Sequence, residues 1–173
     1  MTDLNPTNRP PNRWLGFDIA GEAERWRSVN DGVMGGVSAG RFAIREGRGV
    51  FSGTLSLDQG GGFASVRREV SAGTLAGSEG AVIHLRGDGR RYQCRVGSPL
   101  LPAGASYAAG FETTVGRWSS VRLRWSGFRG VRRGRHLPDA PDLQPDGIER
   151  FGFLIAERQA GLFCLEIEAV DWF

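Results

Sequence analysis

Val82-Ile83-His84-Leu85-Arg86-Gly87-Asp88-Gly89-Arg90-Arg91-Tyr92-Gln93-Cys94-Arg95-Val96 alternates apolar and polar side chains on both sides of an Asp-Gly pair. A period of two marks a half-buried strand, and Asp-Gly supplies the positive φ angles that a two-residue hairpin turn demands. The stretch therefore predicts a β-hairpin. In that register Leu85 faces Tyr92 and Ile83 faces Cys94 on the inner side, while Arg86 faces Arg91 and His84 faces Gln93 on the wet side. Two arginines directly opposite each other repel, so an acidic group is required above Arg86 and Arg91. Arg95 shares this wet side, and by the same alternation Arg67, Arg122 and Arg124 lie on the non-core faces of their own strands.

Working outward, the same alternation recurs along all 173 residues, and no window of twelve or more shows a helical apolar stripe. Strands are expected at residues 14–18, 25–29, 37–44, 49–57, 62–70, 81–86, 90–96, 106–113, 118–125, 148–155 and 162–170. About ten short antiparallel strands, separated by Gly, Asp and Pro turns among 27 glycines, predict an all-β sandwich of jelly-roll type. Residues 127–147, rich in proline and arginine, read as a surface loop. Residues 1–13 are polar, contain Pro6, Pro10 and Pro11, and read as a flexible arm; residues 14–173 read as one domain. This segment has no apolar signal region, and no apolar run is long enough to span a membrane, so a cytoplasmic protein is expected. Cys94 and Cys164 are expected to be reduced thiols.

The formal charge is +3, and all 22 basic residues are arginine. The lack of lysine excludes a Walker-type phosphate lysine, a Schiff-base lysine and a pyridoxal-phosphate anchor. Glu166 and Glu168 share one strand face at roughly 7 Å, a separation seen in paired-carboxylate hydrolysis, but with Phe163, Leu165 and Ile167 facing inward the glutamates simply face solvent. His84 and His136 are the two histidines, and no Cys-x-x-Cys or His-x-x-x-His pair accompanies them, so neither zinc nor another cofactor is expected. No nucleophile elbow is present, and no catalytic residue is assigned. Arginines between residues 117 and 136 alternate with Trp118, Trp125 and Phe128, but a charge of +3 is a weak footprint for nucleic acid, which is the disfavoured partner.

Longer motifs are more specific. They run Trp26-Arg-Ser-Val-Asn-Asp-Gly-Val-Met-Gly-Gly-Val-Ser38, Phe51-Ser-Gly53, Gly61-Gly-Phe-Ala-Ser-Val-Arg67, Gly87-Asp-Gly-Arg-Arg-Tyr92 and Phe163-Cys-Leu-Glu-Ile167. In this order and at this spacing the chain resembles the complex I intermediate-associated protein family across about residues 14–172. The resemblance implies a galactose-binding-like jelly roll, similar to carbohydrate-binding modules, without catalytic activity; mitochondrial members help to assemble NADH:ubiquinone oxidoreductase. It further implies an assembly-factor or chaperone-like role toward a respiratory-complex subunit or intermediate, and the arginine-rich face points to an acidic protein surface as the partner. The family pattern is broken at Arg122-Leu-Arg-Trp125 and kept at Arg133-Gly134-Arg135.

Asn30, Asp31, Met34 and Ser38 admit two readings. Their residue types are turn formers that cap backbone groups, and they also form a loop at the rim of a rigid scaffold, where binding usually lives. The candidate binding residues are therefore Asn30, Asp31, Met34, Ser38, Arg67, His84, Arg86, Asp88, Arg91, Arg95, Arg133 and Arg135, with a basic face centred on Arg86, Arg91 and Arg67. The alternative is a carbohydrate or small-anion binding module that uses the concave face of a sheet.

Overall fold

The alternation sends one set of side chains into an interior shared by two antiparallel sheets. The structure, a computed structural model, describes residues 13–34, 36–60, 62–156 and 158–173. Of the expected N-terminal arm only Arg13 falls among them, and the side chain of Met34 lies outside the described residues. Thirteen strands are formed among the described residues: β1 (Arg13–Gly16), β2 (Trp26–Ser28), β3 (Ala39–Arg45), β4 (Arg48–Leu55), β5 (Ala64–Glu69), β6 (Gly80–Arg86), β7 (Arg91–Gly97), β8 (Ala105–Glu112), β9 (Trp118–Arg124), β10 (Arg129–Arg132), β11 (Arg135–His136), β12 (Arg150–Ile155) and β13 (Gly161–Trp172). One sheet runs β3-β4-β13-β6-β9, with β1 also paired to β13; the other runs β11-β10-β8-β7-β12-β5-β2.

All eleven expected strand positions are occupied. Phe51, Ile83, Leu85, Leu165 and Ile167 from the six-stranded sheet meet Val66, Tyr92, Cys94, Phe151 and Phe153 from the seven-stranded sheet, all at 1 % exposure or less. Phe51 approaches Tyr92 across the sandwich at 6.3 Å between ring centres, and Trp26 stacks on Phe42 at 4.0 Å. Such pairs add about 0.5–1.5 kcal/mol each beyond the area they bury.

Two expectations fail. The stretch at residues 82–96 is not a hairpin: β6 pairs with β13 and β9, whereas β7 pairs with β12 and β8. A two-residue type I′ turn needs positive φ at both central residues. Here Gly89 has it, at φ 87°, and Asp88 does not. Asp88 instead works as a corner post between the sheets. Its carboxylate accepts hydrogen bonds from the Arg90 N–H at 3.1 Å, the Tyr92 hydroxyl at 3.0 Å and the Cys164 N–H at 2.8 Å. The mutual repulsion of Arg86 and Arg91 thereby disappears, because Arg86 lies across from Glu166 and Arg91 across from Glu112.

The supposed loop at residues 127–147 contains the β10–β11 hairpin, in which Arg132 pairs with Arg135 around Arg133-Gly134. Both turn residues are left-handed, at φ 49° and 74°, so the I′ geometry is here. Glu46-Gly47, at φ 52° and 71°, turns β3 into β4 in the same way.

Candidate binding cleft

Sequence alternation fixes which side chains leave the seven-stranded sheet on its outer side. On β5 these are Ser65, Arg67 and Glu69; on β12, Arg150, Gly152 and Leu154; on β7, Gln93, Arg95 and Gly97. The registers align them in rows: Arg67 lies across from Gly152 and Gly152 across from Arg95, while Glu69 lies across from Arg150 and Arg150 across from Gly97. Arginine and glycine therefore alternate along the strands and across them. At Gly97 the absent side chain makes room for the Arg150 guanidinium, and at Gly152 for the backbone of β5. A Cβ on Gly97 would sit 2.5 Å from Arg150 Nε, and one on Gly152 would run into the Val66 carbonyl oxygen and 3.0 Å from Arg67 Cβ.

This checkerboard forms part of the lining of a cleft of about 640 Å³. Arg67, Arg95 and Arg150 line it from the sheet, and the I′ turn that projects Arg133 closes one side. Phe63, Leu154 and Ala156 supply an apolar end. None of these four arginines pairs with a carboxylate among the described residues. Arg95 is held by neutral partners: its Nε donates to Gln93 Oε1 and its Nη1 to Ser106 Oγ, both at 2.9 Å. Nη2 has no acceptor among the described residues. Burial pulls the Arg95 guanidinium below its ordinary pKa, slightly offset by Cys94, but an arginine remains charged.

Asp31 also borders the cleft, yet its carboxylate is fully committed. It accepts the Ser38 N–H on Oδ1 at 2.8 Å and the Gly62 N–H on Oδ2 at 2.7 Å, and the residue is completely buried. Burial pushes its carboxyl up; the hydrogen bonds from Ser38, Gly62 and Phe63 outweigh that and hold it below the usual carboxylate range. Asn30 donates to the Gly40 carbonyl at 3.2 Å and accepts the Ser65 N–H at 3.3 Å, while the Ser38 hydroxyl bridges the Ser56 carbonyl and N–H at 3.0 and 2.9 Å. These residues lock three chain segments together, which is the turn-forming reading of the motif.

The sequence-derived candidates thus divide. Arg67, Arg95 and Arg133 meet in the cleft, whereas Arg86, His84 and Asp88 do not, so the basic face centred on Arg86, Arg91 and Arg67 is not one face. Arg86 projects from the outer side of the other sheet, where its Nε donates to Glu166 and its guanidinium carbon lies 4.9 Å from the Trp118 ring centre, with Arg48 at 4.8 Å. Arg91 is at the exposed end of β7, 3.8 Å from Glu112, and Arg135 is exposed on β11. His84 joins Ser120, at 2.8 Å from Nδ1, to Asp171, at 2.7 Å from Nε2, and Asp171 also accepts from Arg13 at 2.9 Å. That chain of groups resembles a triad, but its Asp171 is buried and none of the three lines the cleft.

Arg150 was missed from the sequence. Gly152 was the available signal, since a glycine inside an otherwise apolar strand marks close approach by a ligand or another backbone, here that of Val66 and Arg67 on β5. Among the described residues no group of three His, Cys, Asp or Glu could hold a metal, and no helix is long and apolar enough to cross a membrane.

The fold defines a class, the two-sheet jelly-roll sandwich, which is also the fold of carbohydrate-binding modules. A family 11 carbohydrate-binding module from Clostridium thermocellum, in complex with a β-1,3-1,4-mixed-linked tetrasaccharide, superposes with a TM-score of 0.62 at 16 % identity, over 91 % of this chain and 94 % of that one. The corresponding module of the cellulosomal cellulase Lic26A-Cel5E of Clostridium thermocellum gives 0.61 at 16 % identity, over 93 % and 96 %. The agarase AgWH50C gives 0.61 at 12 % identity, with 94 % of this chain matching 24 % of the agarase. Among curated proteins, none matches the sequence. The sequence model of the complex I intermediate-associated protein 30 family matches residues 15–167, and the chain belongs to that family.

Proposed function

We propose that this protein is a non-catalytic binding module acting as an assembly factor or chaperone-like protein, and that it recognises its partner on the outer face of the seven-stranded sheet. The cleft carries the reading: it is a preformed hollow on a rigid sheet, lined by arginines that no carboxylate of the described chain neutralises. Family membership supports an assembly role toward a respiratory-complex subunit or intermediate, and the arginines of the cleft support an acidic surface as the part of that partner it meets. The test is affinity capture from native extract with the wild type, an Arg67→Ala/Arg95→Ala variant and an Arg86→Ala variant. Respiratory-complex subunits should be recovered by the first and the third and lost by the second. Identical recovery by all three would remove the cleft from the proposal.

A second reading takes support from the likeness to modules solved with a bound oligosaccharide, and makes the cleft a saccharide site. Thermal-shift measurements with mixed-linked β-glucan oligosaccharides decide between them. A rise in midpoint that the Arg67→Ala/Arg95→Ala variant loses favours the saccharide.

A further inference from the structure

Placing the binding site in this cleft, as above, leaves the chemistry of its occupant open, and the side chains narrow it. Arg67 and Arg95 stand on strands one removed from each other, with Gly152 between them. Two strand spacings put their backbones about 9–10 Å apart. An arginine side chain reaches over half that span, so both guanidinium groups can meet a compact anion above Gly152, where no side chain intervenes. Arg150 belongs to the same outward face two residues earlier on β12, lying over Gly97, and Arg133 approaches from the hairpin turn. Four positive charges around one hollow, with the Asp31 carboxylate already consumed by two backbone N–H groups, leave an excess of charge that a neutral ligand does not satisfy.

From these placements we infer that the cleft recognises a phosphate or sulfate monoester on a small polar molecule. The oxyanion sits over Gly152 between Arg67 and Arg95, and the remainder of the ligand lies toward Phe63, Leu154 and Ala156. The guanidinium fork matches tetrahedral oxyanions in a bidentate manner, and Arg95 holds Nη2 unengaged for that purpose while Gln93 and Ser106 fix the rest of the group. The dianion of a phosphate monoester suits four arginines better than a single carboxylate, and a sulfate monoester, though singly charged, offers the same fork three oxygens. The volume of about 640 Å³ is that of a small-molecule site.

The experiment is calorimetric and thermal-shift titration of the full chain with inorganic phosphate, inorganic sulfate, glucose 6-phosphate and glucose, at constant ionic strength maintained with chloride. Phosphate and sulfate should raise the unfolding midpoint, glucose 6-phosphate should bind at least as tightly as inorganic phosphate, and glucose should have no effect. Arg95→Gln and Arg67→Gln should each weaken phosphate about tenfold or more. Arg41→Gln, outside the cleft, should not. Because Arg67 is exposed and has no carboxylate partner, Arg67→Gln should leave the unliganded midpoint unchanged or raised, which a purely structural arginine would not do. Equal binding of glucose and glucose 6-phosphate, or equal loss in Arg41→Gln and Arg67→Gln, overturns the inference; so does a flat response to about 10 mM phosphate. If phosphate fails to bind but the Arg67→Ala/Arg95→Ala variant still loses its captured partner, the occupant is an acidic protein segment and the cleft remains the binding surface. If phosphate binds and capture is unaffected, the oxyanion site stands and the partner docks elsewhere.

Discussion

Replacing Asp31 with asparagine tests whether the Asn30-to-Ser38 motif is an internal latch. The carboxylate offers one oxygen to the Ser38 N–H and the other to the Gly62 N–H, at 2.8 and 2.7 Å, in a fully buried position. An amide keeps one oxygen and turns an NH₂ group toward the second donor. One charge-assisted bond is lost, the second becomes neutral, and a buried N–H is stranded, which together cost about 3 kcal/mol. For a chain of this size that corresponds to a fall of about 6–12 °C in midpoint, readable by calorimetry and urea denaturation. The pH dependence follows from the depressed carboxyl. With a folded value below the ordinary 3.8, the ionised latch stabilises the protein fully above about pH 4, and its contribution fades as pH falls through the folded value. The gap between wild type and Asp31→Asn should therefore be widest near neutrality and narrow toward about pH 2. A loss below about 0.5 kcal/mol at pH 7, or a gap that does not change with pH, would refute the latch and return Asp31 to the list of binding groups.

Glu22→Gln should destabilise by about 3–5 kcal/mol, because it strands the buried Arg68, whose Nε lies 2.9 Å from Glu22 Oε1; a Glu22→Leu/Arg68→Met pair should recover most of that loss in urea unfolding. Gly53→Ala would drive its Cβ into the Ala39 carbonyl oxygen and part β3 from β4, costing more than about 2 kcal/mol, whereas Gly32→Ala, with open space around it, should cost under about 1. With a thiol reagent, the exposed Cys164 should react in the native protein and the buried Cys94 only after unfolding; burial raises both thiols, so even Cys164 should react slowly at pH 7. Equal reactivity of the two would place Cys94 outside the core.

Much of the sandwich was legible because alternation is a local property. Inward Tyr92, Cys94 and Val96 follow from their spacing alone, whichever strands flank them. Pairing is not local, and Asp88-Gly89 shows why: the dipeptide fits a hairpin turn, but its conformation was decided by Tyr92 and by Cys164, which is 76 positions away. Conversely, Glu46-Gly47 and Arg133-Gly134 make genuine I′ turns although neither carries Asn or Asp in first position. The cleft was half legible. Arg67 and Arg95 were recognised as outward residues, but only the order of β5, β12 and β7 brings them together over Gly152. Arg86 and Arg91, five positions apart in sequence, were separated by the same long-range pairing.

Strand β13 also sets a timetable for folding. It supplies the middle of the six-stranded sheet, and its partners come far earlier: Arg13 meets Asp171 across 158 positions and Arg86 meets Glu166 across 80. Until residues 161–172 are available to a nascent or refolding chain, β4 and β6 display bare amide and carbonyl ladders that neighbouring chains can adopt. Assembly of such distant pairings belongs to the millisecond-to-second regime, and chains cut before Gly161 should clump instead of merely losing a strand.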